Sequence, residues 1–183
     1  MRNESKISHI LAHLKKLPFF RLEDLQGLCS DKSYLKILFS RYVQKGILLR
    51  LKKGLYTSND FLEETQKQNT FSAYTECLAN VLYSPSYLSL DYILYRHQIL
   101  TEIPQNFTAM TTQKTYQFQN NLGTFFYHTI RPDLFKGFTI ESRHNFQIAA
   151  ATQAKALFDF LYLRKGLLSS PRAIEELRLN LQP

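Results

Sequence analysis

The most regular pattern of apolar and polar positions lies between residues 31 and 57. Its apolar residues recur at steps of three and four, as on one face of a helix: Leu35, Leu38, Phe39, Tyr42 and Val43. Asp31 and Ser33 are helix-capping residue types at the start of this run, and Gly46 follows its end. Because glycine adopts the left-handed conformation at little cost, Gly46 is predicted to end the helix.

Two short apolar runs, 47–51 and 55–57, follow Gly46 and are predicted to be β-strands. The loop Lys52-Lys53-Gly54 joins them, with glycine at a position where φ must be positive. The outer face of the preceding helix is predicted to hold Ser33, Lys36, Ile37, Ser40, Arg41 and Gln44. The pattern therefore predicts a helix with a cationic outer face and a basic hairpin directly after it.

Two shorter elements precede this stretch. Residues 5–17 carry Ile and Leu at helical spacing and are predicted to form a helix that Pro18 ends, and 21–28 are predicted to form a short second helix. Helix, short helix, longer helix and hairpin is the order of a winged helix-turn-helix domain, which we predict for residues 1–58. In such a domain the longer helix can enter a DNA major groove and the hairpin, or wing, can contact adjacent phosphates.

The pattern changes after residue 58. Residues 59–70 are polar, contain neither glycine nor proline, and are predicted to be a connector that could be helical. The predicted helices beyond it are 71–83, 89–97, 154–163 and 171–181, and the predicted strands, rich in Thr, Tyr and Phe, are 107–112, 115–118, 124–130, 138–140 and 146–149. The chain is therefore predicted to be α+β, a winged helix-turn-helix followed by a small mixed α+β domain at 71–183.

The formal net charge of +8 arises in the N-terminal third of the chain. Residues 1–58 hold 12 lysines and arginines and four acidic residues, whereas residues 59–183 hold 11 of each. This partition favours a polyanion, duplex DNA, as the partner of the N-terminal domain. The residues predicted to bind DNA lie on the longer helix and on the hairpin: Lys32, Ser33, Tyr34, Lys36, Ser40, Arg41, Arg50, Lys52 and Lys53.

Several segments of the chain, taken in order, resemble one known family. They are PSYLSLDYILYRHQIL, AMTT, LGTFFYHTI, FKGF and IAAATQAKALFDFLYL, together with the earlier KGILLRLKKGLYT. From about residue 5 to about residue 165 the chain resembles the AbiEi family, antitoxins and transcriptional regulators of type IV toxin–antitoxin operons for phage defence. It departs from the family pattern where Gln153 and Ala154 precede Lys155 in place of proline and glutamate, and near Gln98, where a glycine is common.

The resemblance implies a repressor that binds duplex DNA at the promoter of its own operon. It also implies a cognate nucleotidyltransferase-type toxin, which this protein counteracts with or without direct contact, and a second domain that carries this neutralisation. The alternative interpretation is a winged-helix module for protein or RNA contacts, without operator-specific DNA binding. LGTFFYHTI resembles a strand on which RNA bases stack, but Phe125, Phe126 and Tyr127 are consecutive, so at least one face is predicted to be core.

No catalytic, cofactor or metal site is predicted. The sequence contains no glycine-rich phosphate loop, no GxSxG and no HExxH, and the acidic residues of the second domain are scattered. Lys155 and Asp159 lie four residues apart on one predicted helix, a spacing that predicts a surface ion pair. His128 is predicted to be a structural or a surface histidine. We therefore expect a protein that is not an enzyme.

Cys29 and Cys77 stand alone, without a metal-ligand or CxxC spacing, and are predicted to be reduced, buried thiols. The first ten residues lack an apolar signal core, and no run reaches the roughly 18 apolar residues of a membrane span. We therefore expect no membrane partner and a cytoplasmic location.

Overall fold

The computed structural model of the chain describes residues 10–25, 27, 31–168 and 170–180. It is a mixed α+β structure, which confirms the predicted class. The chain separates into two compact units, Met1–Tyr74 (unit 1) and Thr75–Pro183 (unit 2), with the boundary inside a helix. Within the described ranges, no helix is both long and apolar enough to cross a bilayer.

Unit 1 combines helices with one two-stranded antiparallel sheet. Its elements in order are a helical segment at 10–14 (α1), a 3-10 turn at Glu23–Leu25, α2 (Lys32–Gln44), β1 (Leu48–Lys52), β2 (Leu55–Ser58), α3 (Asn59–Lys67) and the first residues of α4 (Phe71–Leu82). The predicted helix before Gly46 is confirmed, and both predicted strands are confirmed to within one residue at each end.

The connector predicted at 59–70, which the prediction allowed to be helical, forms α3 over residues 59–67. The side-chain oxygen of Ser58 caps the start of α3 by accepting a hydrogen bond from the N–H of Phe61 at 3.1 Å. The described part of the short helix predicted at 21–28 is a single 3-10 turn. Residues 5–9 of the predicted first helix, and Cys29, lie outside the described residues.

The start of α2 is set by a side-chain cap. The Asp31 carboxylate accepts hydrogen bonds from the backbone N–H groups of Ser33 and Tyr34, at 2.9 and 3.0 Å. The first N–H groups of a helix have no partner inside the helix, so this cap supplies two of the missing acceptors.

The end of α2 is set by glycine. Gly46 has φ of +68°, and its N–H donates to the Val43 carbonyl at 3.1 Å. The N–H of Ile47 donates to the Tyr42 carbonyl at 2.9 Å. These two bonds form a Schellman motif, which confirms the predicted role of Gly46.

The inner face of α2 forms much of the core of unit 1. The five apolar residues predicted for that face are buried or pack against the core: Leu35, Leu38, Phe39, Tyr42 and Val43. The ring of Phe39 makes edge-to-face contacts with Phe20 and Tyr56, at centroid distances of 5.7 and 5.0 Å. Phe20 also exchanges two backbone hydrogen bonds with Tyr56, so it extends the sheet beyond β2. Each fully buried side chain of this kind stabilises the fold by about 1.5–3 kcal/mol.

Unit 2 is built on a six-stranded mixed sheet in the order β5-β6-β4-β3-β8-β7. Its elements are the rest of α4, β3 (Ser86–Leu88), α5 (Leu90–Arg96), β4 (Phe107–Thr111), β5 (Tyr116–Asn120), β6 (Gly123–Thr129), a 3-10 turn at Pro132–Leu134, β7 (Phe138–Arg143), β8 (Phe146–Ala151), α6 (Gln153–Arg164) and α7 (Pro171–Glu175). The pairs β3–β8 and β4–β6 are parallel, and the other neighbours are antiparallel.

Helices α4 and α6 lie on opposite faces of this sheet. The strand register places Tyr87 and His128 on one face and Tyr127 on the other. The hydroxyl of Tyr127 donates to the carbonyl of Ala79 in α4 at 2.6 Å, whereas the hydroxyl of Tyr87 donates to Asp159 in α6 at 3.0 Å. Both faces of the central strands are therefore covered by a helix.

Two features of unit 2 differ from the prediction. Strand β3 was not predicted; it has only three residues and exists because β4 and β8 pair with it on either side. The last helix, predicted over 171–181, ends at Glu175. Arg178 has φ of +49°, and the N–H of Asn180 donates to the Ile99 carbonyl at 2.8 Å, so the backbone there leaves the helical path.

Candidate nucleic-acid interface

The outer face of α2 is exposed along its length. All six residues predicted for that face are exposed: Ser33, Lys36, Ile37, Ser40, Arg41 and Gln44. Lys32, in the first turn, is exposed as well. Residues three and four apart are neighbours on a helix surface, so Ser40 lies beside Lys36, and Arg41 lies beside Ile37 on the same exposed face. The helix contains no acidic residue, and one polyanionic ligand could contact all of this face.

Tyr34 occupies a different position from the other predicted DNA-binding residues of α2. It is half-buried, and its side chain packs against the core cluster of unit 1. Its ring therefore contributes to folding, and only part of it remains available for a ligand.

The hairpin after α2 combines buried leucines with exposed cations. Leu48, Leu51 and Leu55 are buried, while Arg50 and Lys53 are exposed. The strand register shifts between Arg50 and Lys52, and this shift is a β-bulge. The connecting turn therefore contains only Lys53 and Gly54. That glycine has φ of +81°, which confirms the positive φ predicted there.

Lys52 differs from the prediction that it lies in the loop between the two strands. It is the last residue of β1 and is half-buried. Burial lowers the pKa of its ammonium group, and the nearby charge of Arg21 lowers it further. The strand continues through Lys52 because of the bulge before it, so Lys53 and Arg50 are the exposed cations of the hairpin.

Sequence reasoning missed two cations near this surface. Arg21 is exposed and acts electrostatically on Lys52, although nothing in their spacing along the chain indicates that they are close. Lys45 is exposed at the end of α2, and its position next to Gly46 was a usable signal. Lys15, by contrast, forms an ion pair of 2.9 Å with Asp60, so an acidic partner already compensates its charge.

In unit 2 the structure corrects the prediction of a surface ion pair between Lys155 and Asp159. The side chain of Lys155 is 9% exposed and that of Asp159 is 0% exposed, and they form a buried ion pair of 2.8 Å. The hydroxyls of Tyr87 and Ser89 donate to the same carboxylate at 3.0 and 2.8 Å. The prediction was wrong because the i, i+4 spacing is the same on a buried helix face, and here Tyr87 of β3 and Ser89, just after β3, donate to the carboxylate.

A second charged cluster joins α4, α5 and β7. The buried carboxylate of Glu76 accepts hydrogen bonds from the Tyr92 hydroxyl at 2.9 Å, from Arg96 at 3.4 Å and from Arg143. Glu141 accepts from Arg96 at 2.8 Å. The two carboxylates and the two guanidinium groups neutralise one another, so the cluster has no uncompensated charge to offer a ligand.

The other candidate side chains of unit 2 are buried or half-buried in the fold. Phe125 and Tyr127 are buried, which confirms that one face of this strand is core and removes these rings as stacking platforms for RNA bases. His128 is half-buried, and burial lowers its pKa. Cys77 is a buried free thiol, as predicted. Within the described part of the chain, no three His, Cys, Asp or Glu side chains are grouped closely enough to hold a metal ion.

Comparison with protein-family models gave no match, and no curated protein matches the chain. The resemblance to the AbiEi family therefore rests on the segments quoted above. The exposed cationic face of α2, with Arg50 and Lys53 on the hairpin, is the arrangement of described residues best suited to bind a macromolecule.

Proposed function

We propose that the chain is a DNA-binding transcriptional repressor, in which unit 1 acts as a winged helix-turn-helix. In this proposal α2 is the recognition helix and the β1–β2 hairpin is the wing. One observation carries the proposal: Lys36, Ser40 and Arg41 are all exposed on the outer face of a helix that has no acidic residue. An α-helix with its side chains is about 10–12 Å in diameter, which matches the width of the major groove, about 12 Å.

The side chains divide into two kinds of contact. Arg41 is suited to read a base, because a guanidinium can donate to O6 and N7 of guanine together. Lys53 and Arg50 are suited to bind phosphates, because they are exposed on the hairpin beside the helix. Such phosphate contacts raise affinity for every duplex, whereas the base contact favours one sequence.

The biological part of the proposal comes from the AbiEi resemblance. It has the protein repress its own operon and counteract a cognate nucleotidyltransferase-type toxin, with unit 2 carrying the neutralisation. Contact between the two proteins is not required by this proposal. The finding of an adjacent nucleotidyltransferase gene would support it, and rescue of cells that express that toxin tests it.

DNA binding is tested by fluorescence anisotropy of the full chain on its promoter and on random duplex over a series of salt concentrations. Exposed cations that make about four to six phosphate contacts give a log–log slope of about −4 to −5, at about 0.9 per contact. A response independent of salt would contradict the proposal and favour the alternative, a protein- or RNA-interaction module.

Two substitutions separate the two kinds of contact. We expect Arg41→Ala to cost about 1–3 kcal/mol on the promoter and much less on random DNA, and Arg41→Lys to lose part of the same preference because an ammonium lacks the planar, pre-organised pair of donors of a guanidinium. Lys53→Ala is expected to weaken binding to both DNAs equally. Lys67→Ala, which removes an exposed charge at the end of α3, is the matched control. If Lys67→Ala weakened binding as much as Lys53→Ala, the attraction would be diffuse and the assigned surface wrong.

A further inference from the structure

Strand β5 (Tyr116–Asn120) lies at one end of the sheet in unit 2 and, among the described strands, pairs with β6. Gln117 and Gln119 are exposed, and Tyr116 is 51% exposed. The open edge of a sheet is a template for another strand. Folded proteins usually protect such an edge with charges, proline or a bulge.

β5 has none of these protections. Residues 115–127 contain no charged residue and no proline, and the β5–β6 register continues without a shift from Tyr116 to Asn120. The strand at the other end of the sheet, β7, differs, since it contains Glu141 and Arg143. The two ends of the same sheet are therefore not equivalent, and β5 is the end that invites pairing.

The hairpin geometry identifies which backbone groups point outward. The loop between β5 and β6 has two residues, 121–122, so the pair Asn120 and Gly123 that closes it exchanges hydrogen bonds. Bonded and non-bonded pairs alternate along an antiparallel ladder. Gln117 and Gln119 consequently direct their N–H and C=O groups away from β6, to the outside of the sheet.

Aromatic rings accompany this edge on the face that α4 covers. Tyr83, the residue after α4, stacks on Tyr116 with 5.6 Å between ring centroids, and the ring centroid of Phe118 lies 4.6 Å from that of Tyr116. The cluster is partly exposed at the edge of the sheet. A strand added there would gain apolar contacts as well as backbone hydrogen bonds.

We propose that β5 is the interface of a homodimer, in which the β5 strands of two copies pair antiparallel and join their sheets into one. A second copy suits this edge because a two-fold axis pairs residue i of one copy with residue j of the other and residue j with residue i, so the same uncharged strand lies on both sides. An uncharged strand meets no like charge in that arrangement, whereas charged side chains near such an axis repel. The proposal does not depend on DNA binding.

The outward groups define the register. A two-fold axis through Phe118 pairs Gln117 of one copy with Gln119 of the other, and Gln119 of the first copy with Gln117 of the second. In both pairs the outward N–H and C=O groups form hydrogen bonds with each other. Phe118 then faces Phe118 across the axis, and the aromatic clusters of the two copies become continuous.

The test is analytical ultracentrifugation of the full chain over a concentration series. We expect the wild type to approach twice the monomer mass of 21.5 kDa as its concentration rises. Gln117→Lys together with Gln119→Lys places like charges opposite each other and should weaken the dimer about tenfold or more. Gln117→Lys together with Gln119→Glu places opposite charges together in this register and should dimerise at least as well as the wild type.

Thr139→Lys, on the exposed edge strand β7, is the matched control and should leave the dimer unchanged. Circular dichroism checks that each variant is folded. A wild type that stays monomeric at every concentration would overturn the proposal, as would a dimer that tolerates the two lysines or is broken by Thr139→Lys. If the lysine–glutamate variant failed to dimerise while the wild type did, the register centred on Phe118 would be wrong.

Discussion

Replacing Asp159 by asparagine tests how far unit 2 depends on its buried ion pair. The substitution keeps the size of the side chain and an oxygen acceptor but removes the negative charge. Lys155 would then lie 9% exposed beside a neutral amide, with the Leu134 carbonyl at 2.8 Å as its remaining close oxygen. The hydroxyls of Tyr87 and Ser89 would donate to a neutral acceptor in place of a charged one.

The expected cost of Asp159→Asn is about 3–5 kcal/mol, the typical cost of removing one partner of a buried ion pair. Hydrogen bonds to charged acceptors contribute about 1.5–3 kcal/mol each, against about 0.5–1.5 for neutral ones. Two hydroxyl bonds therefore account for roughly 2–3 kcal/mol of the loss, and the unpaired Lys155 accounts for the rest. Domains are typically stable by about 5–15 kcal/mol, so the variant is expected to be marginal.

A second substitution tests the mechanism. Lys155→Met removes the uncompensated charge and places an apolar chain of similar length against the ring of Phe158, which lies 4.6 Å from the ammonium group. Lys155→Met together with Asp159→Asn is therefore expected to be at least about 1 kcal/mol more stable than Asp159→Asn alone. Asp133→Asn, which removes an exposed ion-pair partner of Arg131, is the control and is expected to change stability little.

The assay is urea unfolding followed by circular dichroism, because the chain has no tryptophan. Hydrogen exchange of peptides from β3 and α6 then localises the loss to unit 2. If Asp159→Asn cost less than about 1 kcal/mol, the carboxylate would not hold the network together. If the double variant were as unstable as the sum of its single variants, the unpaired lysine would not be the cause.

Two further predictions concern side chains outside that network. Ile37 is 54% exposed among the polar residues of α2, so on the proposed function it is placed to contact a thymine methyl group. Replacing one thymine of the promoter by uracil should weaken DNA binding by the wild type and leave DNA binding by Ile37→Ala unchanged, as measured by fluorescence anisotropy. Equal losses of affinity for the two proteins would refute the contact. Burial holds the pKa of His128 below its ordinary value, while Asp91 raises it and Arg164 lowers it. The His128 imidazole therefore binds a proton more tightly in the unfolded chain than in the folded one. The contribution of neutral His128 to the free energy of unfolding is present above about pH 6.5 and is lost as the pH falls below it. Urea midpoints at about pH 7.5 and about pH 5 should fall more for the wild type than for His128→Gln, and equal falls would exclude His128 as the source.

Local signals explain why α2 and its hairpin were predictable. Apolar spacing, an acidic cap at Asp31 and the glycines Gly46 and Gly54 each act within a few residues, and the structure follows them. The position of Lys52 was not predictable in the same way. A single bulge shifted it from the loop into the strand, and its electrostatic neighbour is Arg21, 31 positions earlier in the sequence.

Unit 2 contains features that the pattern of nearby residues does not predict. β3 has three residues, too few for a periodic pattern, and its existence depends on strands more than 20 residues away in the sequence. The burial of Asp159 depends on Tyr87 and Ser89, separated from it by 72 and 70 positions. Pairs of this separation leave no trace in the spacing of one helix, so an i, i+4 pair inside the protein looks like one on the surface.

The placement of charge differs between the two units. In unit 1 the cations of α2 and the hairpin, such as Lys36, Arg41 and Lys53, are exposed, so a polyanion can reach them. In unit 2, Lys155 and Arg143 are held by the buried carboxylates Asp159 and Glu76, and their charge is compensated inside the fold. On the proposed function, removing an exposed cation from α2 or the hairpin should therefore change the affinity for DNA and leave folding intact. Removing one of these cations from unit 2 should change folding first, because an unpaired buried carboxylate remains.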